Sequence, residues 1–167
     1  MKNFNDYGRF LDEGYTEYLN SKYFKSTECY KINKIFLKTL SIIIGEELME
    51  QMYFNADLKG LINELMKYNN SREDVIKFII NTDIIHKNIY KLSIIKRIKL
   101  RKALLEVNKF LIHTYYERIK QCTNNENDII FAMNLFIYSL KNIKIDIGFN
   151  DRFIKDSDEY KEKKLTL

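Results

Sequence analysis

The chain has 167 residues, of which 46% are hydrophobic and 31% charged, which fits one folded domain and excludes a disordered chain. It contains no proline and only five glycines, a scarcity that disfavours architectures of many strands and tight turns and predicts an all-α fold. Its 28 basic and 23 acidic residues give a formal charge of +5, and its two isolated cysteines exclude a disulfide-stabilised secreted domain.

The first predicted helix starts at an N-cap, Asn5 or Asp6, and runs to about Phe24. Its aromatic side chains recur at helical spacing on one face. Such a stripe typically packs against the other helices of a bundle, and we prefer this interpretation. Because tyrosine is enriched at protein interfaces, a partner-binding surface is the alternative. The candidate residues of that surface are Tyr7, Phe10, Tyr15 and Tyr18.

Polar residues and one glycine divide the next part of the chain into further helices. Ser26 or Thr27 is predicted to cap the second helix, and Gly45 either kinks this helix or ends it. Asn55 and Asp57 then open a third element, whose apolar residues follow the full spacing of an amphipathic helix.

Two helix-start signals precede a long helix. Ser71, with Asp74 three residues later, has the pattern of a capping box, and Thr82 with Asp83 predicts the start of another short helix. The periodicity that follows predicts a helix over about 93–122, which at about 1.5 Å per residue is roughly 45 Å long.

The C-terminal third of the chain begins with a polar loop at 123–127. Residues 128–143 are apolar on almost every face, which predicts the buried central helix of the bundle. Apolar and polar residues then alternate over 143–149, a period of two that suits an extended segment docked on the bundle. We therefore predict a single-domain bundle of about six or seven helices over 1–154, followed by a charged, mobile tail over 155–167.

Positive charge is concentrated around the start of the long helix. Residues 87–109 contain eight bases and one acid, a local charge of +7, whereas the rest of the chain is slightly acidic. Because 22 of the 28 basic residues are lysine, as an A+T-rich coding sequence would give, the clustering is more informative than the total. A localised positive segment is typical of proteins that bind an anionic partner. The candidate partner-binding residues lie over 87–102 and are Lys87, Lys91, Lys96, Arg97, Arg101 and Lys102.

The angular positions of these residues on the long helix separate two groups. Lys102 falls on one narrow, solvated stripe of the helix, where charge needs no function. Lys96, Arg97 and Arg101 project from other faces, which predicts that the first two turns protrude from the bundle or lie at its end. Cations in a first helical turn are disfavoured by about 0.3–1 kcal/mol each, and this favours an anionic partner. A helix that instead begins near Asp83 would remove that argument, and the sequence is equally compatible with it.

Catalytic chemistry has few candidates in this sequence. His113 and Glu117 lie one turn apart, with Glu106 two turns earlier, so a metal site can form, but on a lysine-rich stripe such pairs are typical of surface ion pairs. Cys29 and Cys122 lie in apolar helical patterns, which predicts buried thiols, not nucleophiles. No phosphate-binding glycine loop is present. We therefore expect no enzyme and no cofactor.

The function that these patterns favour is a non-enzymatic binding protein of the inhibitor or adaptor type, from an A+T-rich bacterium, phage, virus or other mobile element. Its segment 87–102 would contact an acidic protein surface or nucleic acid. A regulatory protein that binds nucleic acid directly is the alternative, and a metal-dependent or nuclease-type enzyme is a weaker third. The N-terminus has no apolar core of a signal peptide, and the longest apolar stretch, 129–140, is too short to cross a bilayer. We expect no membrane contact and a location in the cytoplasm of the producing cell or its host.

Overall fold

A computed structural model describes residues 8–24, 31–69, 71–88 and 93–141 of the chain. They form an all-α bundle, and the described ranges contain no strand, which confirms the predicted fold class. The seven helices are α1 (Arg9–Tyr23), α2 (Lys31–Ile44), α3 (Glu46–Phe54), α4 (Leu58–Met66), α5 (Arg72–Asn88), α6 (Ile94–Cys122) and α7 (Glu126–Lys141).

Two predicted helix starts, at Asp57 and Ser71, are confirmed by their capping contacts, and at Gly45 the structure decides between the two predicted alternatives. Gly45, at a φ of 95°, ends α2 and leads directly into α3. The Asp57 side chain accepts a hydrogen bond from the Gly60 amide at 2.7 Å and so caps α4. At the start of α5, the Ser71 hydroxyl accepts from the Asp74 amide at 3.1 Å and donates to the Asp74 carboxylate at 2.8 Å. The predicted N-cap of α1 at Asn5 or Asp6 is wrong, because α1 begins at Arg9 and its N-cap is Gly8. The predicted cap of α2, at residues 26–27, lies outside the described residues.

The predicted helix start at Thr82 and Asp83 is wrong, because α5 continues through both residues as one helix. The Thr82 hydroxyl donates back to the Ile79 carbonyl at 2.7 Å, as threonine does inside a helix. Asp83 does cap a helix, but a different one: its buried carboxylate accepts from the amides of Gly8 and Phe10 at 3.0 and 3.3 Å, at the start of α1.

The centre of the described bundle is α2, which contacts α1, α3, α6 and α7. Helix α1 can approach it closely because Gly14 has no side chain. A Cβ atom at Gly14 would lie 2.8 Å from Leu37 Cδ2 and 2.9 Å from Asn33 Cβ, both on α2. The largest fully buried side chains of the core are Tyr15, Phe10, Leu11, Leu37, Leu40, Ile43, Leu61, Leu65, Ile85, Leu104 and Leu111.

The prediction that 128–143 forms the buried central helix is wrong for the part that is described. Helix α7 lies beside α6 and α2 and buries one face against them, where the Phe136 ring stacks on Tyr115 at a centroid distance of 4.0 Å. Its opposite face is exposed: Phe131, Leu135 and Tyr138 are 66%, 57% and 68% exposed. The pattern correctly places apolar residues on both faces of α7. The pattern of one helix does not show, however, whether a neighbouring helix covers each face.

The long helix is confirmed as α6, whose 29 residues span about 43 Å. The three residues 123–125 connect it to α7, and this short loop makes the two helices antiparallel neighbours. Cys122, at the end of α6, is exposed, which corrects the prediction that its thiol is buried. Cys29, the segment 143–149 and the tail 155–167 lie outside the described residues.

Candidate partner interface

After its first residue, α6 is exposed on every side over residues 95–99. Each residue from 95 to 99 is exposed, which accounts for more than one complete turn, and Leu100 is the first buried side chain that follows. A helix surrounded by solvent over a full turn extends past the packed part of the bundle. We call residues 95–102 the basic turns. Four of the predicted partner-binding residues lie exposed on them: Lys96, Arg97, Arg101 and Lys102.

The two remaining basic residues of the prediction lie before the basic turns. Lys87 is exposed near the C-terminal end of α5, and Lys91 lies outside the described residues. Since α5 packs along α6 and only residues 89–93 connect them, Lys87 belongs to the same end of the bundle as the basic turns.

Two isoleucines are exposed among these cations. Ile95 is 69% exposed and Ile98 is 64% exposed, although periodicity predicts that Ile98 is buried on one flank of α6. The periodicity is correct for the part of α6 that has neighbours, because Ile112, three to four turns later on that flank, is buried. The basic turns therefore combine positive charge with exposed apolar surface, which the sequence pattern did not reveal.

The cations of the basic turns have no acidic partner in the described part of the chain. By contrast, two lysines elsewhere in the bundle pair with acids of α6: Lys77 with Glu106 at 2.9 Å, and Lys120 with Glu117 at 3.5 Å. The first turn of α6 contains no acidic residue that would offset its cations. The positive charge of the basic turns is therefore presented to solvent.

Arg97 and Arg101 lie on the side of α6 that faces α7, beyond the end of α7. Tyr115 marks that side because its ring stacks on Phe136 of α7. Arg97 lies 18 residues before Tyr115, which is about five complete turns, and Arg101 lies about four turns before it. Because α6 and α7 are antiparallel and Tyr115 lies opposite Phe136, the C-terminal end of α7 lies opposite the middle of α6. Both arginines therefore lie past the last turn of α7.

The aromatic residues of α1 are placed mainly in the core. Phe10 and Tyr15 have no exposed surface, and Tyr15 packs against the Tyr53 ring at a centroid distance of 4.9 Å. Tyr18 is half-buried, and its hydroxyl donates to Glu46 at 2.8 Å. Tyr7 lies outside the described residues. This arrangement agrees with the preferred interpretation of a packing stripe, and it leaves Phe10 and Tyr15 unavailable to a partner.

A cleft of about 210 Å³ between α5 and α6 is a feature that sequence reasoning missed. Its aromatic wall is the stacked pair Phe78 and Phe110, with ring centroids 4.4 Å apart. Lys77 and Glu106 line the cleft and form an ion pair, and the hydrogen bond to Glu106 raises the pKa of the Lys77 ammonium. His113 also lines the cleft. The cleft is smaller than the roughly 300–1,000 Å³ typical of small-molecule sites.

Across the described residues, no group of three histidine, cysteine, aspartate or glutamate side chains is close enough together to hold a metal ion. None of the seven helices combines the length and the apolar character that crossing a bilayer requires.

Comparison with protein families, with curated proteins and with solved structures finds no match to this chain. The surfaces of the molecule itself are therefore what indicates its function. Two of them stand out in the described part: the basic turns of α6 and the exposed apolar face of α7.

Proposed function

We propose that the protein is a non-enzymatic binding protein, of the inhibitor or adaptor type, that recognises an anionic partner through the basic turns. The observation that supports this most directly is the exposure of Lys96, Arg97 and Arg101 on a protruding helix start, without an acidic partner in the described ranges. Cations held in this way interact with one another unfavourably, and an anion bound against them offsets that repulsion.

The position of these cations strengthens the proposal. Helix α6 begins at Ile94 after Ser93, and the Arg97 amide donates to the Ser93 carbonyl at 3.0 Å as the first helical hydrogen bond. Lys96 and Arg97 therefore lie in the first turn, where the helix dipole disfavours each cation by about 0.3–1 kcal/mol. A carboxylate of a partner near this turn interacts favourably with both the dipole and the cations.

A protein partner is favoured over nucleic acid by the exposed isoleucines. Protein interfaces combine an apolar centre with a polar rim, and Ile95 and Ile98 beside lysines and arginines supply both. Phosphate contacts are made by charged and polar groups and gain nothing from isoleucine side chains. The proposed partner is thus an acidic protein surface with an apolar centre. Nucleic acid is the second candidate, and it is supported by the cations alone.

The proposed setting is the cytoplasm of the producing cell or of its host. Cys122 is an exposed free thiol, and thiols of this kind persist in compartments that are kept reducing.

The first experiment reverses the charge of the two arginines. The variant Arg97→Glu with Arg101→Glu is compared with Lys38→Glu plus Lys59→Glu, which makes the same change in net charge at exposed lysines of α2 and α4. Binding to fluorescent poly-glutamate is measured by anisotropy. We expect at least a tenfold loss of affinity for the arginine variant and a much smaller loss for the control, with helicity by circular dichroism unchanged in both. Equal losses would show that only net charge matters and would contradict the proposal.

The second experiment separates the two classes of partner. The variant Ile95→Ser with Ile98→Ser keeps every cation and removes the exposed apolar surface. It is tested on the acidic protein recovered from the native cell or host by pull-down, and on a duplex DNA oligonucleotide. We expect weaker binding of the protein and unchanged binding of the DNA. If DNA binds more tightly than any protein, with a log–log salt slope of about −0.9 per phosphate contacted, the nucleic-acid candidate replaces the protein partner.

A further inference from the structure

The outer face of α7 is an uncharged apolar stripe on the surface of the described bundle. Its centre consists of Phe131, Leu135 and Tyr138, at spacings of four and three residues that place them on one side of the helix. Ile130, 38% exposed, lies at its edge. We call this surface the α7 face. Single exposed apolar residues need no explanation, but an apolar row along one helix marks an interaction surface.

We propose that the α7 face is a homodimer interface, in which the α7 helices of two copies pack antiparallel about a two-fold axis. The inference goes beyond the proposed function and does not depend on it, because it is carried by a different surface. Three properties of the α7 face support a second copy as the occupant, and they concern its charge, its central amide and its area.

The first property is neutrality. No residue from Ile129 to Leu140 carries a charge, although 31% of the whole chain is charged. In a two-fold interface each surface meets a copy of itself, so a charged face would repel its own copy and a neutral face does not. A lipid surface is disfavoured by the same observation, because helices that lie on membranes carry lysine and arginine along their polar face.

The second property is the position of Asn134, an exposed residue near the midpoint of the stripe between Phe131 and Tyr138. In an antiparallel pair of identical helices, residues near the midpoint face their own copies. A carboxamide both donates and accepts hydrogen bonds, so Asn134 can pair with Asn134 of a second copy. An asparagine in an otherwise apolar helix interface also fixes register, as in coiled coils.

The third property is the exposed area, which sets the expected strength. At about 150–250 Å² per aromatic side chain, Phe131 and Tyr138 at two-thirds exposure present roughly 250 Å² per copy. With Leu135, Ile130 and the amide added, two copies bury on the order of 1,000 Å², which is below the about 1,200 Å² at which standard specific interfaces begin and within the range of weak, transient ones. The dimer is therefore expected to be weak and reversible.

The test is the mass of the full chain in solution, measured by sedimentation as a function of concentration up to roughly 100 μM. We expect the mass to rise from that of one 20.2 kDa chain toward twice that value. Phe131→Asp should keep the chain monomeric throughout the range. The matched control is Phe54→Asp on α3, where phenylalanine is 68% exposed compared with 66% at Phe131, and it should dimerise as the unchanged chain does.

The variant Asn134→Asp tests the two-fold geometry with almost no change of shape. It places two carboxylates opposite each other near the axis, so we expect at least a tenfold weaker dimer at neutral pH. A chain that remains monomeric up to the highest concentration overturns the proposal. So does a dimer that Phe131→Asp leaves intact, because a different surface would then hold the copies together. Poly-glutamate binding should be retained by both α7 variants, which keeps this result separate from that of the proposed function.

Discussion

One buried carboxylate joins distant parts of the described chain. Asp83 lies in the second half of α5, 75 positions from Gly8, and accepts hydrogen bonds from the first amides of α1. A helix start needs an acceptor for its free amides, and Gly8 has no side chain to supply one. Gly8 also has a φ of 94°, a conformation that suits glycine. The start of α1 is thus completed by a residue of another helix.

Removing this carboxylate should destabilise the fold. In Asp83→Ala the buried amides of Gly8 and Phe10 lose their acceptor, and we expect the free energy of unfolding to fall by about 1–3 kcal/mol. Asp83→Asn keeps one acceptor oxygen and should lose less. Urea denaturation measures the difference. The control Glu73→Ala removes an exposed acid from the first turn of the same helix and should lose only its interaction with the helix dipole, about 0.3–1 kcal/mol; an equal loss in both variants would contradict the capping role.

The sequence identified Asp83 as a capping residue but assigned it to the wrong helix. A local cap leaves a pattern within three or four residues, as Ser71 and Asp74 do, and such a pattern is readable. A cap supplied from 75 positions away leaves none, because only the packing of α5 against α1 brings the groups together.

At the scale of the helices, α1 and α2 are held in close contact by one missing side chain. Gly14 is unfavourable in a helix, by about 1 kcal/mol relative to alanine, and from sequence alone it only weakens α1. The structure shows what compensates for this loss, since the backbone of α1 packs closely against Asn33 and Leu37 of α2 at Gly14. The poor helix propensity of glycine is offset by closer packing between α1 and α2.

Gly14→Ala should therefore destabilise the protein despite its better helix propensity. The added Cβ would lie 2.9 Å from the Asn33 carbonyl oxygen, and backbone cannot move aside cheaply. Overpacking of this kind costs about 1–3 kcal/mol, so we expect a net loss of up to about 2 kcal/mol after the propensity gain of about 1 kcal/mol. Thermal unfolding measures it. Asn20→Ala, a half-exposed site of the same helix, should be neutral or stabilising, and a stabilised Gly14→Ala would contradict the close contact.

The helices themselves were largely predictable, but their neighbours were not. The bounds of α6 and the start of α4 follow from periodicity and capping chemistry, which are local properties. Burial is not local: Ile98 and Leu135 continue apolar patterns that are buried elsewhere in their helices, yet both are exposed because α6 extends past α7 and the outer side of α7 is uncovered in the described part. The candidate interface was found from charge clustering, whereas its apolar component required the fold.

At the scale of the whole molecule, ionisable side chains make the free energy of unfolding depend on pH at both ends of the range. At the acid end, hydrogen bonds from Lys22 and Tyr18 lower the pKa of the Glu46 carboxyl below its ordinary 4.5. The stabilisation from these hydrogen bonds to the ionised Glu46 carboxylate is present above pH 4.5 and is lost as the pH falls below it. At the alkaline end, burial raises the pKa of the Tyr15, Tyr18 and Tyr115 hydroxyls above their ordinary 10.0.

The alkaline limit gives a prediction for Tyr15, whose hydroxyl is buried and has no hydrogen-bond partner in the described ranges. Burial, and next the charge of Glu50, favour its neutral form in the folded state. The stabilising contribution of the neutral Tyr15 hydroxyl is therefore complete below pH 10. It is lost as the pH rises above 10, by up to about tenfold in the unfolding equilibrium per pH unit.

Tyr15→Phe removes the titrating hydroxyl, so the free energy of unfolding of this variant should fall less steeply above pH 10 and be equal or higher at pH 7. Denaturant midpoints from pH 7 to 11 measure both effects. Tyr138→Phe, which removes an exposed hydroxyl, should follow the unchanged chain, and a Tyr15→Phe profile identical to that of the unchanged chain would show that Tyr15 does not set the alkaline limit.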